Sequence, residues 1–275
     1  MGWEKVINVY RILNMKPKKQ FGQNFLTQPK IAQDLVNAGE ITKKDTILEI
    51  GPGKGMLTEK LLATGAHVIA VEKDSDLIEE LKTKFHKEVK NKRLTIINAD
   101  ILNFETKKLI TKKYKLIANI PYYITGIIIR KFLESNHQPT KMVLMVQKEV
   151  AERIVARDKK ESILSISVKV YGEPKIIKKV SAGSFFPKPN VDSAILLIDN
   201  ISKDNFVKNK IDENTFFEII KKGFKSPRKQ LNSNLKNDST VWKNICAQLN
   251  ITEAIRPENL TTGNWVELVK NLRIF

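Results

Sequence analysis

From Thr46 to Val146 the chain repeats one pattern: a short apolar run, then a helical stretch. Thr46–Ile50 reads as a buried strand, followed by a glycine-rich turn and a helix over Met56–Ala63. Strands over 67–71, Leu94–Asn98, Lys115–Asn119 and 141–146 follow, with a helix over 75–85 after the second strand. Runs of Val, Ile and Leu without polar alternation mark strands buried on both faces. Strand-helix alternation therefore predicts an α/β fold, a mainly parallel sheet with helices on both sides. Ligands of such sheets bind beyond the carboxyl ends of the strands, so the residue following each run carries the functional information.

The pattern changes after residue 150. The segment 163–171 alternates like a strand, through Leu164, Ile166, Val168 and Val170, and also suits a buried helix. Segments 175–180 and 191–198 read as strands joined by a proline-rich bend, and 200–210 as a polar linker. The remainder is helical in pattern over 213–222, 228–236, 241–249 and 264–272. Asp238 or Ser239 is placed to cap the third of these, and Thr261 or Thr262 the last. The expected division is an N-terminal arm at 1–17, a main domain at 18–200 and a helical domain at 201–275. Residues 1–15 lack the apolar centre of a signal peptide; they are an extra arm, or translation starts at Met15.

Charge narrows the partners. Lys and Arg number 48 against 30 Asp and Glu, a net charge of +18. Such an excess points to a polyanion, nucleic acid first, over a surface of solvated lysines. The single cysteine, Cys246, cannot close an internal disulfide, and this fits a reducing compartment such as the cytoplasm. With only His67, His86 and His137 besides, no metal site is expected. No apolar run is long enough to span a membrane.

The strand ends carry the chemistry. Glu49-Ile50-Gly51-Pro52-Gly53-Lys54-Gly55 closes the first strand. Glycines there permit a tight turn and close approach of a nucleotide-like ligand. The spacing departs from G-x-G-x-x-G, which disfavours a pyrophosphate and an NAD-dependent oxidoreductase. Glu72 ends the second strand, where a carboxylate can accept both ribose hydroxyls. Asp100 follows the third, an acceptor suited to the exocyclic amine of a cofactor adenine, or a simple cap to the next turn. Asn119-Ile120-Pro121-Tyr122 ends the fourth strand. Adenine N6 is a poor nucleophile because its lone pair is delocalised into the ring. The side-chain oxygen of Asn119 and the carbonyl of Ile120 or Pro121 can accept its hydrogens. Proline holds the backbone still, and Tyr122 offers a face on which a flipped base stacks. The bland alternative is an ordinary strand-to-helix turn.

These segments, with Gln23-Asn24-Phe25-Leu26, Leu144-Met145-Val146-Gln147-Lys148-Glu149 and Phe185-Phe186-Pro187-Lys188-Pro189-Asn190-Val191-Asp192-Ser193, follow one another in a familiar order. From about Lys18 onward the chain resembles the ribosomal RNA adenine N6,N6-dimethyltransferases of the small-subunit, KsgA type. The resemblance implies a Rossmann-like class I methyltransferase with a mainly parallel seven-stranded sheet and a small C-terminal all-helical domain. It implies S-adenosylmethionine as cofactor, held at Asn24, Leu26, Gly51, Gly53, Glu72, Asp100 and Asn119. It assigns catalysis to Asn119, Pro121 and Tyr122, with Phe185 on the target adenine opposite Tyr122. It reads 163–171 as a helix. The implied substrate is two adjacent adenosines in a 3'-terminal hairpin of 16S rRNA, and the implied partner the small ribosomal subunit, engaged by a monomer during maturation. Lys18, Lys19, Arg153, Arg228 and Lys229 are the expected RNA contacts; the alternatives are a solvated arm for Lys16, Lys18 and Lys19, and surface pairs with Glu152 or Asp158 for Arg153 and Arg157, which lie one turn apart.

Departures from the family pattern are Tyr123, where bacterial enzymes often carry Asn, and Pro227 and Gln230 in Phe224-Lys225-Ser226-Pro227-Arg228-Lys229-Gln230-Leu231. The rival readings are the large-subunit adenine methyltransferase of macrolide resistance and a ribosome-assembly factor with secondary catalysis. Arg256-Pro257-Glu258-Asn259-Leu260 resembles the small-subunit type more closely.

Overall fold

The computed structural model describes residues 18, 22–108, 110 and 113–272. Residues 1–17, which include Lys16, and Lys19 lie outside them, so the N-terminal arm and one expected RNA contact have no structural account here.

The strands are β1 (Phe25–Leu26), β2 (Thr46–Ile50), β3 (His67–Glu72), β4 (Leu94–Asn98), β5 (Lys115–Asn119), β6 (Lys141–Gln147), β7 (Glu173–Val180), β8 (Phe185–Phe186) and β9 (Ser193–Asp199). Seven of them form one sheet in the order β4-β3-β2-β5-β6-β9-β7. The pairs from β4 through β6 are parallel, and β9 runs antiparallel between β6 and β7. β9 reaches that slot because the proline-rich bend turns the chain back after β7. Chain direction outward from the centre reverses between β2 and β5. That reversal opens a crevice at their carboxyl ends, where an α/β sheet takes its ligand.

Two apolar layers hold the sheet. Leu116, Leu144 and Leu196 face one way and pack with Ile128, Phe132 and Ile166 from helices Thr125–Glu134 and Ile163–Lys169. Ile117, Val143 and Ile195 alternate to the other face and meet Leu35 and Leu61 from helices Pro29–Ala38 and Met56–Ala63. Successive strand residues point to opposite faces, so one run of apolar side chains serves both layers.

The segment 163–171 resolves as a helix over Ile163–Lys169. A reciprocal capping box decides it: the Ser165 N–H donates to Ser162 Oγ at 3.1 Å, and the Ser162 N–H to Ser165 Oγ at 2.7 Å. The expected linker at 200–210 is corrected. It holds a short helix, Asp204–Asn209, anchored by Phe206, whose buried ring meets Phe216 edge-on at 5.5 Å and Tyr171 at 5.2 Å. One aromatic ring in a polar stretch gives no periodicity, yet its burial suffices to dock a helix.

The tail forms helices Glu213–Gly223, Leu231–Leu235, Ser239–Leu249 and Thr262–Leu272. Asp238 caps the third by accepting from Thr240 and Val241 N–H, and Thr261 Oγ1 accepts from Asn264 N–H at the last. The second is shorter than the expected 228–236, because Pro227 and the turn closed by Lys229 N–H to Ser226 O precede it. Arg228 and Lys229 therefore project from a turn, not a helix. Phe216, Ile220, Trp242 and Trp265 join the same apolar cluster as the sheet face carrying Leu116, so the tail shares a core with the sheet. No helix among the described residues is long and apolar enough to cross a membrane.

Candidate active site

A single cleft lies over the ends of β2, β3, β4 and β5, at the reversal point. Asn24, Leu26, Gly51, Gly53, Glu72, Asp100, Asn119, Pro121 and Tyr122 all line it. Residues spread over a hundred positions converge because parallel strands deliver all their carboxyl ends to one edge of the sheet.

The floor is the β2 turn. Gly51, Gly53 and Gly55 have φ of +63, +56 and +76, a region that L side chains rarely adopt. A Cβ at Gly51 would meet nothing within 4 Å, so the turn leaves open space above its own backbone. Glu72 is 6% exposed and accepts main-chain N–H groups of Gly53 at 3.1 Å, Lys73 at 2.8 Å and Asp74 at 2.9 Å. Burial pushes its carboxyl above the usual range, while those three amides pull the other way and hold it in place. Asp100 accepts from Lys73 Nζ and from Leu102 N–H, both at 2.9 Å. The Lys73 ammonium holds its carboxyl below the usual range.

Glu49 also lines the cleft, a role the strand pattern leaves unassigned. It is 1% exposed, and neither carboxyl oxygen meets a donor at good hydrogen-bond geometry. Burial pushes its pKa up to about 8, against the pull of neighbouring Thr58. A buried acid without a partner is a receptor for a cation or a proton. The signal in the sequence was an acidic residue inside an otherwise apolar strand. It also sets a stability prediction. Glu49 binds its proton more tightly folded than unfolded, so its contribution is complete below the ordinary glutamate pKa and is lost as pH rises toward 8. In ligand-free protein, Glu49→Gln is expected to flatten the fall in stability across that window; denaturant melts at several pH values, showing slopes identical to the parent, would refute this.

The wall is the β5 segment. Asn119 Nδ2 donates to the main-chain carbonyl of Asn24 at 3.0 Å. An amide held by its nitrogen presents its oxygen on the opposite side, as an acceptor. The Pro121 carbonyl accepts from Ile124 N–H at 3.2 Å, which closes the turn over Tyr122–Ile124. This engages the Pro121 carbonyl in the turn, and both Ile120 and Pro121 line the cleft beside Asn119. Tyr122 and Ser193 share a hydroxyl hydrogen bond of 2.6 Å. Burial pushes the phenol upward, with Ser193 opposing, so the ring stays neutral.

Phe185 does not line this cleft. It is 4% exposed and sits in β8, paired antiparallel with Leu26 of β1. Its ring packs in the apolar cluster that also holds Leu26 and Val180. The Phe185–Ser193 stretch reaches the site through Ser193 instead.

The basic residues divide. Lys18 closes ion pairs with Asp74 at 2.6 Å and Asp76 at 2.7 Å, tying the chain to the N-terminus of helix Ser75–Lys84. Arg153 is exposed on helix Lys148–Val155, and Arg228 and Lys229 are exposed on their turn. Arg157 pairs with Glu152. Among the described residues no three His, Cys, Asp or Glu side chains gather as a metal site.

Known proteins resemble this chain over nearly its whole length. The profile of the family described as Ribosomal RNA adenine dimethylase matches residues 14–273. Proteins named Ribosomal RNA small subunit methyltransferase A are similar: that of Fusobacterium nucleatum is 38% identical over 94% of this chain and 98% of its own. That of Clostridium botulinum is 37% identical over 98% and 97%. A dimethyladenosine transferase from Plasmodium falciparum superposes with a TM-score of 0.75 at 27% identity, over 91% of this chain and 97% of that one. The 23S rRNA methyltransferase ErmE superposes with a TM-score of 0.75 at 22% identity, over 91% and 100%, a likeness of fold. With its match running through the strand ends that build the cleft, this chain belongs to the ribosomal RNA adenine dimethylase family.

Proposed function

We propose that this chain dimethylates the N6 amine of adenosines in small-subunit rRNA, with S-adenosylmethionine as methyl donor. The observation that carries the reading is Asn119, whose amide nitrogen is held by the Asn24 carbonyl in the wall of the cleft; its oxygen would be one acceptor and the neighbouring Ile120 carbonyl the second. Two acceptors so placed take up the N6 hydrogens and favour the pyramidal amine whose lone pair can attack. No strong base is needed, because the amine becomes acidic as the new bond forms. Tyr122 stacks on the flipped base, its ring fixed through Ser193. Phe185, buried and paired with Leu26, helps to hold the β1 side of the cleft in this reading.

The cleft suits the cofactor. S-adenosylmethionine supplies a methyl group on a sulfonium. Glu72, already oriented by three amides, would hold the ribose hydroxyls, and Asp100 the adenine amine. The open bed over Gly51 would take the chain between them, and buried Glu49 would face its cationic end. Asn24 and Leu26 would close the near side.

The target is placed on the small subunit because relatives bearing that name reach 37–38% identity over nearly their full length. The expected adenosines are the adjacent pair of a 3'-terminal hairpin in 16S rRNA. Residues 201–275 serve as a docking unit, with Arg228 and Lys229 on phosphates, and Arg153 does the same beside the cleft. The protein works as a monomer in the cytoplasm and uses no metal. Purified immature small and large subunits, incubated with labelled S-adenosylmethionine and digested to nucleosides, test this. Dimethyladenosine is expected in small-subunit RNA. Label in neither RNA, or only in the large-subunit RNA, would overturn it.

A further inference from the structure

Helix Thr125–Glu134 buries Thr125, Ile128, Ile129, Phe132 and Leu133. The opposite stripe is Tyr123, Gly126, Ile127 and Arg130, all exposed. Their i, i+3, i+4, i+7 spacing puts them on one side of the helix and of the turn that leads into it. That outward side is ordinarily polar. Here Tyr123, which lines the cleft one residue from Tyr122, is 63% exposed, and Ile127, one turn further along, is 54% exposed.

Two glycines frame this stripe. Gly22, at φ +57, approaches Tyr123 so closely that a Cβ there would lie 2.9 Å from Cε1. The tyrosine ring is thus backed by main chain on one side while most of its surface meets solvent. Gly126 is the reverse case. A Cβ there would meet nothing within 4 Å, and its φ is not positive. Glycine is unfavourable in a helix, and none of the described residues comes close enough to require it at this position. Its absent side chain leaves the helix backbone bare between Tyr123 and Ile127. Arg130 closes the stripe with a side chain 70% exposed, paired with Glu134 one turn on.

An aromatic ring held from behind, a bare stretch of backbone, an aliphatic side chain and a guanidinium form a surface for one nucleotide. Extracting a base from its stack leaves the neighbouring base with an uncovered face. A flat aromatic group replaces that lost stacking whatever the base. We infer that Tyr123, Gly126 and Ile127 form a shelf on which the nucleotide adjoining the methylated adenosine stacks, with Arg130 reaching its phosphate. Tyr122 takes the flipped base and Tyr123 the next one. The inference rests on the rRNA adenosine reading above and adds a specificity-determining contact to it.

Wild type, Tyr123→Ala, Tyr123→Phe and Gly126→Leu are compared on immature small subunits, with kcat and KM for RNA separated. S-adenosylhomocysteine affinity is measured by calorimetry. An RNA hairpin carrying 2-aminopurine beside the target adenosine reports stacking by quenching. Tyr123→Ala is expected to raise the RNA KM about 5- to 150-fold, the range for losing one stacked base. Tyr123→Phe keeps wild-type KM and quenching. Gly126→Leu raises the RNA KM while its thermal stability stays level or rises, since leucine favours the helix. Wild-type KM in Tyr123→Ala overturns the shelf, as does a Tyr123→Phe enzyme as impaired as the alanine variant. So does a loss of S-adenosylhomocysteine affinity that matches the rise in KM, which would make Tyr123 a lid on the cofactor. A wild-type protein that methylates no subunit RNA defeats the functional reading itself, whereas an active wild type with an indifferent Tyr123→Ala defeats only the shelf.

Discussion

Asn119→Ala is expected to slow single-turnover methyl transfer by about a hundred- to a thousandfold, the range found when one preorganised polar group is removed from a transition state. The side chain does two things at once. Its nitrogen holds the Asn24 carbonyl, and in the proposed reaction its oxygen takes an N6 hydrogen. Alanine abolishes both, so the N-terminal wall loosens and the amine loses half of its support. Asn119→Asp separates the roles. It keeps an acceptor but sets a carboxylate against the Asn24 carbonyl, which repels it. Retention of subunit binding in both variants, with transfer lost, is the expected pattern in filter binding and quenched-flow assays. An alanine variant that transfers methyl groups at the parental rate would remove Asn119 from the chemistry.

Trp265→Ala has the largest expected effect on stability. Trp265 is fully buried, stacks on Phe224 at 5.6 Å and presses on Gly223. Truncating a buried tryptophan costs about 3–5 kcal/mol. Its Nε1 has no hydrogen-bond partner, so the loss of that buried donor offsets a part, and the lower end is expected. Because Trp265 shares its apolar cluster with Leu116 and Leu144, the loss should reach the sheet. Unfolding should remain one transition, lowered by on the order of 10 °C, with tryptophan fluorescence and far-ultraviolet circular dichroism coincident. Early melting of the helical tail alone, with the sheet at its parental midpoint, would show that residues 201–275 fold as a separate unit.

The parallel sheet was readable because its strands are unbroken apolar runs, and Thr46–Ile50, Leu94–Asn98 and Lys115–Asn119 begin and end where the pattern does. The functional positions were readable for the same reason: Glu72, Asp100 and Asn119 are the polar residues that terminate or follow those runs. Other features have no periodicity to detect. β1 and β8 are two residues each, far below the length at which alternation shows. The helix Asp204–Asn209 rests on Phe206 alone. Helix Ile163–Lys169 was ambiguous because a helix buried on most sides and a strand use the same residues; the Ser162–Ser165 pair was the local signal. Burial depth is a tertiary property, so neither the isolation of Glu49 nor the enclosure of Phe185 could be read from neighbours in the chain. The close approach of Gly22 to the Tyr123 ring joins residues a hundred positions apart and leaves no local signal.

The short β1–β8 pairing carries a consequence for how the protein is made. Thr27 donates to Ser184 across 157 positions, and Asn119 reaches Asn24 across 95. During synthesis β2 to β5 emerge early and can pair in turn. The segment that seals the cleft from the N-terminal side has no strand to lean on until residues 184–186 leave the exit tunnel. A ribosome-bound chain is therefore expected to hold most of its sheet while its substrate pocket stays open on one flank.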